Sequence, residues 1–146
     1  MPEKETLKRA AKNKREGKSP STQAGEFVHE EIEHIREGKH GARSTKQAIA
    51  IGLAKARRAG VDLPAPEKGR VSEETRKQAA RDLRKGAKKS KKSGKRSRAA
   101  LKALKREPRS AASKRALSRQ ARSAAKKRTA TERSRAAKKA AKTRKK

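Results

Sequence analysis

Gly38-Lys39-His40-Gly41-Ala42-Arg43-Ser44-Thr45-Lys46 separates two stretches of helical period, and this turn decides how the front of the chain folds. Before it, Phe27 or Val28, Ile32 and Ile35 recur at roughly helical spacing, with the acidic residues between them facing elsewhere. Ser21 or Thr22 caps the start of this first helix, and Gly38 can take the left-handed conformation that ends it. After the turn, Ser44 and Gln47 have the spacing of a capping box, Gly60 followed by Val61 suits a Schellman stop, and Pro64 lies beyond. Between these signals Ala48, Ile49, Gly52, Leu53 and Ala56 form a stripe of small and medium residues that lets two helices approach closely. The reading is a helical hairpin over residues 21–64.

The first helix is acidic (Glu26, Glu30, Glu31, Glu33, Glu37) and the second basic (Lys46, Lys55, Arg57, Arg58). Opposite charge favours their pairing only weakly, since exposed ion pairs contribute about 0–1 kcal/mol each. A unit of about 44 residues is at the lower limit for an independent core, so a homodimer through the hairpin, or ordering on a ligand, is expected.

Working outward, residues 1–20 read as a basic arm with a short helix at about residues 4–15. Residues 65–96 read as a linker, with Ser72, Glu73 and Glu74 opening a helix at about residues 73–85 that Gly86 ends. Residues 97–146 form a tail in which an Ala pair recurs at intervals of 12, 13 and 12 residues: Ala99-Ala100, Ala111-Ala112, Ala124-Ala125 and Ala136-Ala137. At about 100° per residue those steps rotate the pairs away from a common seam, so the repeat reads as one of composition. High helix propensity is interrupted by Pro108, and mutual repulsion of the cations is expected to keep the tail mostly unfolded until a polyanion screens it. The fold class expected is therefore mostly α: a small helical hairpin plus a long basic tail, largely disordered or conditionally helical.

Composition supports a polyanion partner. The chain has 146 residues, a formal net charge of +32, 42% charged and 29% hydrophobic residues. Residues 1–70 hold 16 basic and 10 acidic side chains, whereas residues 71–146 hold 31 and 5. Cations that neutralise phosphates release condensed counterions, which gives salt-sensitive, sequence-independent affinity. One Phe and no Tyr or Trp disfavour base-stacking modules and leave contacts to the duplex backbone. There is no cysteine for a disulfide or thiolate site, and no apolar run fit for a membrane span or signal peptide, so a cytoplasmic protein is expected.

The residues expected to meet nucleic acid fall in two groups. The turn and second helix contribute Lys39, Arg43, Ser44, Lys46, Lys55, Arg57 and Arg58; the turn reads either as a phosphate clamp at the helix N-terminus or as a plain inter-helix loop with solvated charges. The linker and tail contribute Lys88, Lys89, Lys91, Lys92, Lys95, Arg96, Arg98, Lys114, Arg115, Arg122, Lys126, Lys127, Arg128, Arg135, Lys138 and Lys139. His29-Glu30-Glu31-Ile32-Glu33-His34 departs from a zinc-protease motif because its histidines are five apart. Glu30 with His34, or His34 with Glu37, can share a helix face, but no metal, cofactor or catalytic site is expected.

Residues Ser21 to Val28, Lys39 to Leu53 and Ala59 to Val61 resemble an uncharacterised family of small basic bacterial proteins, some labelled DNA-binding. The tail is similar in composition to linker-histone tails and bacterial histone-like nucleoid proteins. It departs from linker histones in having Pro108 alone and no Ser-Pro-x-Lys repeat. The function expected is sequence-nonspecific binding and compaction of DNA in the nucleoid. The alternatives are a structured-RNA or ribosome-associated protein, or a protein-interaction or stress protein localised by its tail.

Overall fold

The computed structural model describes residues 1–88 and 91–145. Its helices are α1 (Lys4–Arg15), α2 (Pro20–Arg36), α3 (Thr45–Arg58), α4 (Glu73–Lys88), α5 (Gly94–Leu104), α6 (Lys114–Lys126) and α7 (Ala130–Arg144), with a 3-10 turn at Ser110–Ala112.

Local chemistry sets the ends of the central pair. Ser19 caps α2, its hydroxyl accepting from the Thr22 amide, and Pro20 occupies the first turn, so the cap lies earlier than Ser21 or Thr22. Gly38, with φ at +79°, closes α2 by a Schellman motif in which Lys39 N–H donates to the His34 carbonyl. Ser44 Oγ caps α3 by accepting from Gln47 N–H, while Gln47 Oε1 accepts from Arg43 N–H, one residue upstream of a reciprocal box. Gly60 ends α3 at φ +96°, with Val61 N–H donating to the Ala56 carbonyl.

Helices α2 and α3 pack as an antiparallel hairpin. At their midpoint a Cβ on Gly52 would stand 2.7 Å from Val28 Cα, so only glycine permits the observed approach. One apolar cluster joins Ala24 and Phe27 of α2 to Ala56, Val61 and Ala10 of α1, with Leu53 and Leu63 at its edge. Helix α1 is seated there by Ala10 and by polar ties of Asn13 and Arg9 to Glu26. Helix α4 lies against α3, where Arg58 grips the buried Asp82 through Nε and Nη2 at 2.8 and 2.7 Å.

The expectation of a largely disordered tail is corrected. Helices α5, α6 and α7 occupy it, and each has a side-chain cap: Ser93, Ser113, and Thr129 in a full capping box with Glu132. Gly86 does not end α4, which runs through it to Lys88, and α5 begins at Gly94. Caps and the high helix propensity of Ala, Lys and Arg outweigh the repulsion that the sequence reading stressed.

Part of the tail belongs to the core. Ala111 and Ala112 are 6% and 1% exposed and join Ile32, Ile35, Ala42 and Ala48 in a second apolar cluster, flanked by Val28 and Leu117. The other three Ala pairs are solvent-facing. Four bonds fasten this segment: Gly41 N–H to the Leu104 carbonyl, Ala42 N–H to Pro108, Thr45 Oγ1–H to Ala111 and Arg36 Nε–H to Ala112. The 3-10 turn therefore completes the hairpin, and one member of an apparent compositional repeat is a specific packing element.

Candidate nucleic-acid interface

The turn from Gly38 to Lys46 carries little free anion-binding capacity. Gly41 and Ala42 spend their amides on tail carbonyls, Arg43 spends its amide on Gln47, and Lys39 on His34. A Cβ on Gly41 would overlap the Glu107 carbonyl oxygen, so tail backbone fills the space above the turn. Arg43, Ser44 and Lys46 remain exposed. Lys39 is exposed but paired with Glu37 at 2.9 Å and Glu3 at 3.2 Å, and those carboxylates, Glu37 first, raise its ammonium above the ordinary value.

Of three cations of α3 expected to meet nucleic acid, Lys55 and Arg57 work inside the protein and Arg58, though exposed, is paired within it. Lys55 Nζ lies 2.6 Å from Glu31 Oε2 and 3.7 Å from Glu30 Oε1. Arg57 is 6% exposed and donates to the Leu63 and Pro64 carbonyls; burial lowers its guanidinium from the ordinary value, with Asp82 opposing. Arg58 holds Asp82. The acidic side of α2 is equally engaged, since Glu30 and Glu31 are buried, Glu26 pairs with Arg9 and Glu33 with Arg36.

The linker and tail cations differ. Lys88, Lys91, Lys95, Arg96, Arg98, Lys114, Arg115, Arg122, Lys126, Lys127, Arg128, Arg135, Lys138 and Lys139 are all exposed. Lys89 lies outside the described residues. Lys92 is exposed as well, and partial desolvation, then neighbouring Arg58 and Lys55, lowers its ammonium from the ordinary value. Lys102, Arg119, Arg133, Lys142 and Arg144 present further exposed charge on the same helices and were not singled out from sequence. Between Lys91 and Lys145 only Glu107 and Glu132 are acidic, and Glu132 is occupied by Arg70 at 2.7 Å.

Folding also gathers cations that are distant in sequence. Arg36 of α2, Arg109 and Lys114 line one depression with Ala112 and Ser113 at the start of α6. A second lies between Ser19, Ser21 and Thr22 at the start of α2 and Lys139, Thr143 and Arg144 of α7. Lysine and arginine near the N-termini of α5 and α6 oppose the helix dipole, an arrangement that a bound anion relieves. The single aromatic residue, Phe27, is 1% exposed and offers no face to a base.

These features define a small all-helical protein with a neutralised hairpin core and a cationic helical periphery. Residues 14–69 match a family described as a family of unknown function (DUF6496). That match reaches from the end of α1 through α2 and α3 to the turn before α4, and it leaves the cationic helices outside. No curated protein and no solved structure matches the chain. Among the described residues no helix is long and apolar enough to cross a membrane.

Proposed function

We propose that this protein binds duplex DNA along its phosphate backbone, without strong sequence preference, and compacts it as a histone-like nucleoid protein. The observation that carries the reading is the charge of α5, α6 and α7, whose lysines and arginines face solvent with almost no acidic residue among them. Helices present these charges along rods that rise about 1.5 Å per residue, so the cations of one helix span several successive phosphates of a duplex that carries a charge about every 1.7 Å. Binding several phosphates at once releases counterions and makes affinity fall steeply with salt. Burial of Phe27 removes base stacking as a means of recognition. The acidic α2 has little free charge left for a protein partner, because Glu30 and Glu31 are buried and Glu26 and Glu33 are paired with Arg9 and Arg36.

The test is a salt series on the full-length chain with duplex DNA and with structured RNA. Truncation after the linker is unsuitable, since it deletes Ala111 and Ala112 from the core. The comparison protein instead carries Arg133→Gln, Arg135→Gln, Lys138→Gln and Lys139→Gln on exposed positions of α7. If all four meet phosphates, the logarithmic salt slope becomes shallower by about 3–4. An unchanged slope and affinity would remove α7 from the interface. Preferential, salt-tolerant binding of RNA would sink the DNA reading.

A further inference from the structure

We propose that Glu31, His34 and His40 form a structural site for a divalent transition-metal ion of the zinc type. Glu31 and His34 are one turn apart on α2, and the turn after α2 brings His40 back onto them. One ligand atom from each residue lies within 4.8 Å of the other two. Glu31 and His40 are 0% and 7% exposed, and the His34 side chain is 13% exposed.

The bonding inside this cluster is incomplete in a way that a cation completes. Glu31 Oε2 accepts from Lys55 at 2.6 Å, but Glu31 Oε1 is buried with no hydrogen bond. His40 Nε2 stands 3.1 Å from that oxygen without donating to it. That separation is close to the roughly 3.3 Å between neighbouring ligands of a tetrahedral zinc with bonds of about 2.0 Å. Two such ligands aim at a shared ion and not at each other. Glu30 adds a second buried carboxylate; its Oε2 accepts from Glu3 N–H, but its Oε1 lacks a hydrogen bond and lies 3.7 Å from the same Lys55 ammonium that Glu31 holds. An unpaired buried carboxylate oxygen is costly, and a bound cation removes that cost.

The outer partners are those of metal-bound imidazoles. His40 Nδ1–H donates to the Gly41 carbonyl at 3.0 Å, which leaves the lone pair on Nε2, facing Glu31. His34 Nε2–H donates to Glu3 Oε1 at 2.9 Å, which leaves its lone pair on Nδ1. Two imidazoles and one carboxylate suit zinc and its neighbours better than magnesium or calcium. Three protein ligands leave a fourth position for water. A metal here ties α2 to the turn that receives the tail and, through Glu3, to the start of α1. A small protein with a thin core gains stability from such a link.

The experiment uses full-length protein stripped with a chelator and titrated with zinc chloride by calorimetry, and with cobalt(II) by visible absorption. Expected are one saturable equivalent, a rise in melting temperature and cobalt bands of tetrahedral intensity. His40→Gln and Glu31→Gln each weaken zinc binding at least about tenfold, while His29→Ala, at the exposed histidine outside the cluster, leaves it unchanged. If a ligand variant does not fold, the cobalt spectrum and stoichiometry of the unsubstituted protein decide. The proposal is overturned by no saturable binding, by octahedral cobalt bands, or by folded Glu31→Gln and His40→Gln variants that bind zinc as the parent does.

Discussion

The backbone of Gly41 lies directly on the Glu107 carbonyl, and a methyl group at position 41 would occupy the space of that oxygen. Here the hairpin turn and the tail meet, with the Gly41 and Ala42 amides bonded to Leu104 and Pro108 on either side. Gly41→Ala forces the strands of chain apart and is expected to destabilise the fold by about 1–3 kcal/mol, the usual range for overpacking. Chemical denaturation measures the loss, and limited proteolysis shows where it falls: cleavage near 105–113 accelerates. A variant as stable and as resistant as the parent would show that the tail is not docked on the turn.

Thr45 supplies a polar tie at the same seam. Its hydroxyl is buried and donates to the Ala111 carbonyl at 2.6 Å. Thr45→Val keeps the shape and strands that carbonyl, so a cost of about 1–3 kcal/mol is expected. Ala111 and Ala112 amide exchange should quicken in step with the stability lost. Unchanged exchange at those two positions would count against the bond.

The central hairpin was readable because its determinants are local. Ser44, Gly38 and Gly60 announce where helices start and stop, and Gly52 in a stripe of small residues announces a close approach. The docking of Ala111 and Ala112 was not readable from the repeat, since the same pair recurs three more times on exposed surface. The distinguishing signals were Pro108 before the pair, Ser113 as a cap after it and Leu117 on the following turn. Charge misled in both directions. Tail repulsion looked decisive, yet three caps and helix propensity suffice for helices there; Glu30 and Glu31 looked like solvent-facing acids, yet Lys55 meets them from across the hairpin. Local periodicity cannot reveal a partner 24 residues away. The same limit hid the meeting of His40 with Glu31.

Helix α4 has few apolar side chains to anchor it, with Ala79 buried and Leu83 half-buried, so Asp82 does much of the positioning. Asp82 is 2% exposed and accepts from both Nε and Nη2 of Arg58 and from Gln78 Nε2 at 3.3 Å. Asp82→Ala leaves the Arg58 cation without its partner. Because Arg58 is partly solvated, the cost is set at about 1–3 kcal/mol, below that of a fully buried pair. Combining Asp82→Ala with Arg58→Ala in a double-mutant cycle should recover part of that loss. Strict additivity would mean that the pair does not couple α4 to α3.

Helix α7 is tied to the rest of the molecule differently, through an ion pair at the surface. Glu132 accepts from the N-cap amide of Thr129 and from Arg70 Nη2 at 2.7 Å, and Arg70, then the Thr129 backbone amide, hold its carboxyl below the ordinary value of 4.5. A carboxylate depressed in the folded state stabilises that state above its unfolded pKa, and the contribution disappears as pH falls through the folded value. Acidification below about pH 4.5 should therefore loosen the start of α7 and release Arg70. Carboxyl and amide NMR titration follows both events, and high salt should mimic them in part by screening the exposed pair. Glu132→Gln should show the loosened α7 shifts already at neutral pH and lose their acid dependence. Were Glu132 to titrate at its ordinary value, with α7 unmoved by the substitution, the capping box and the Arg70 contact would not be what holds this helix in place.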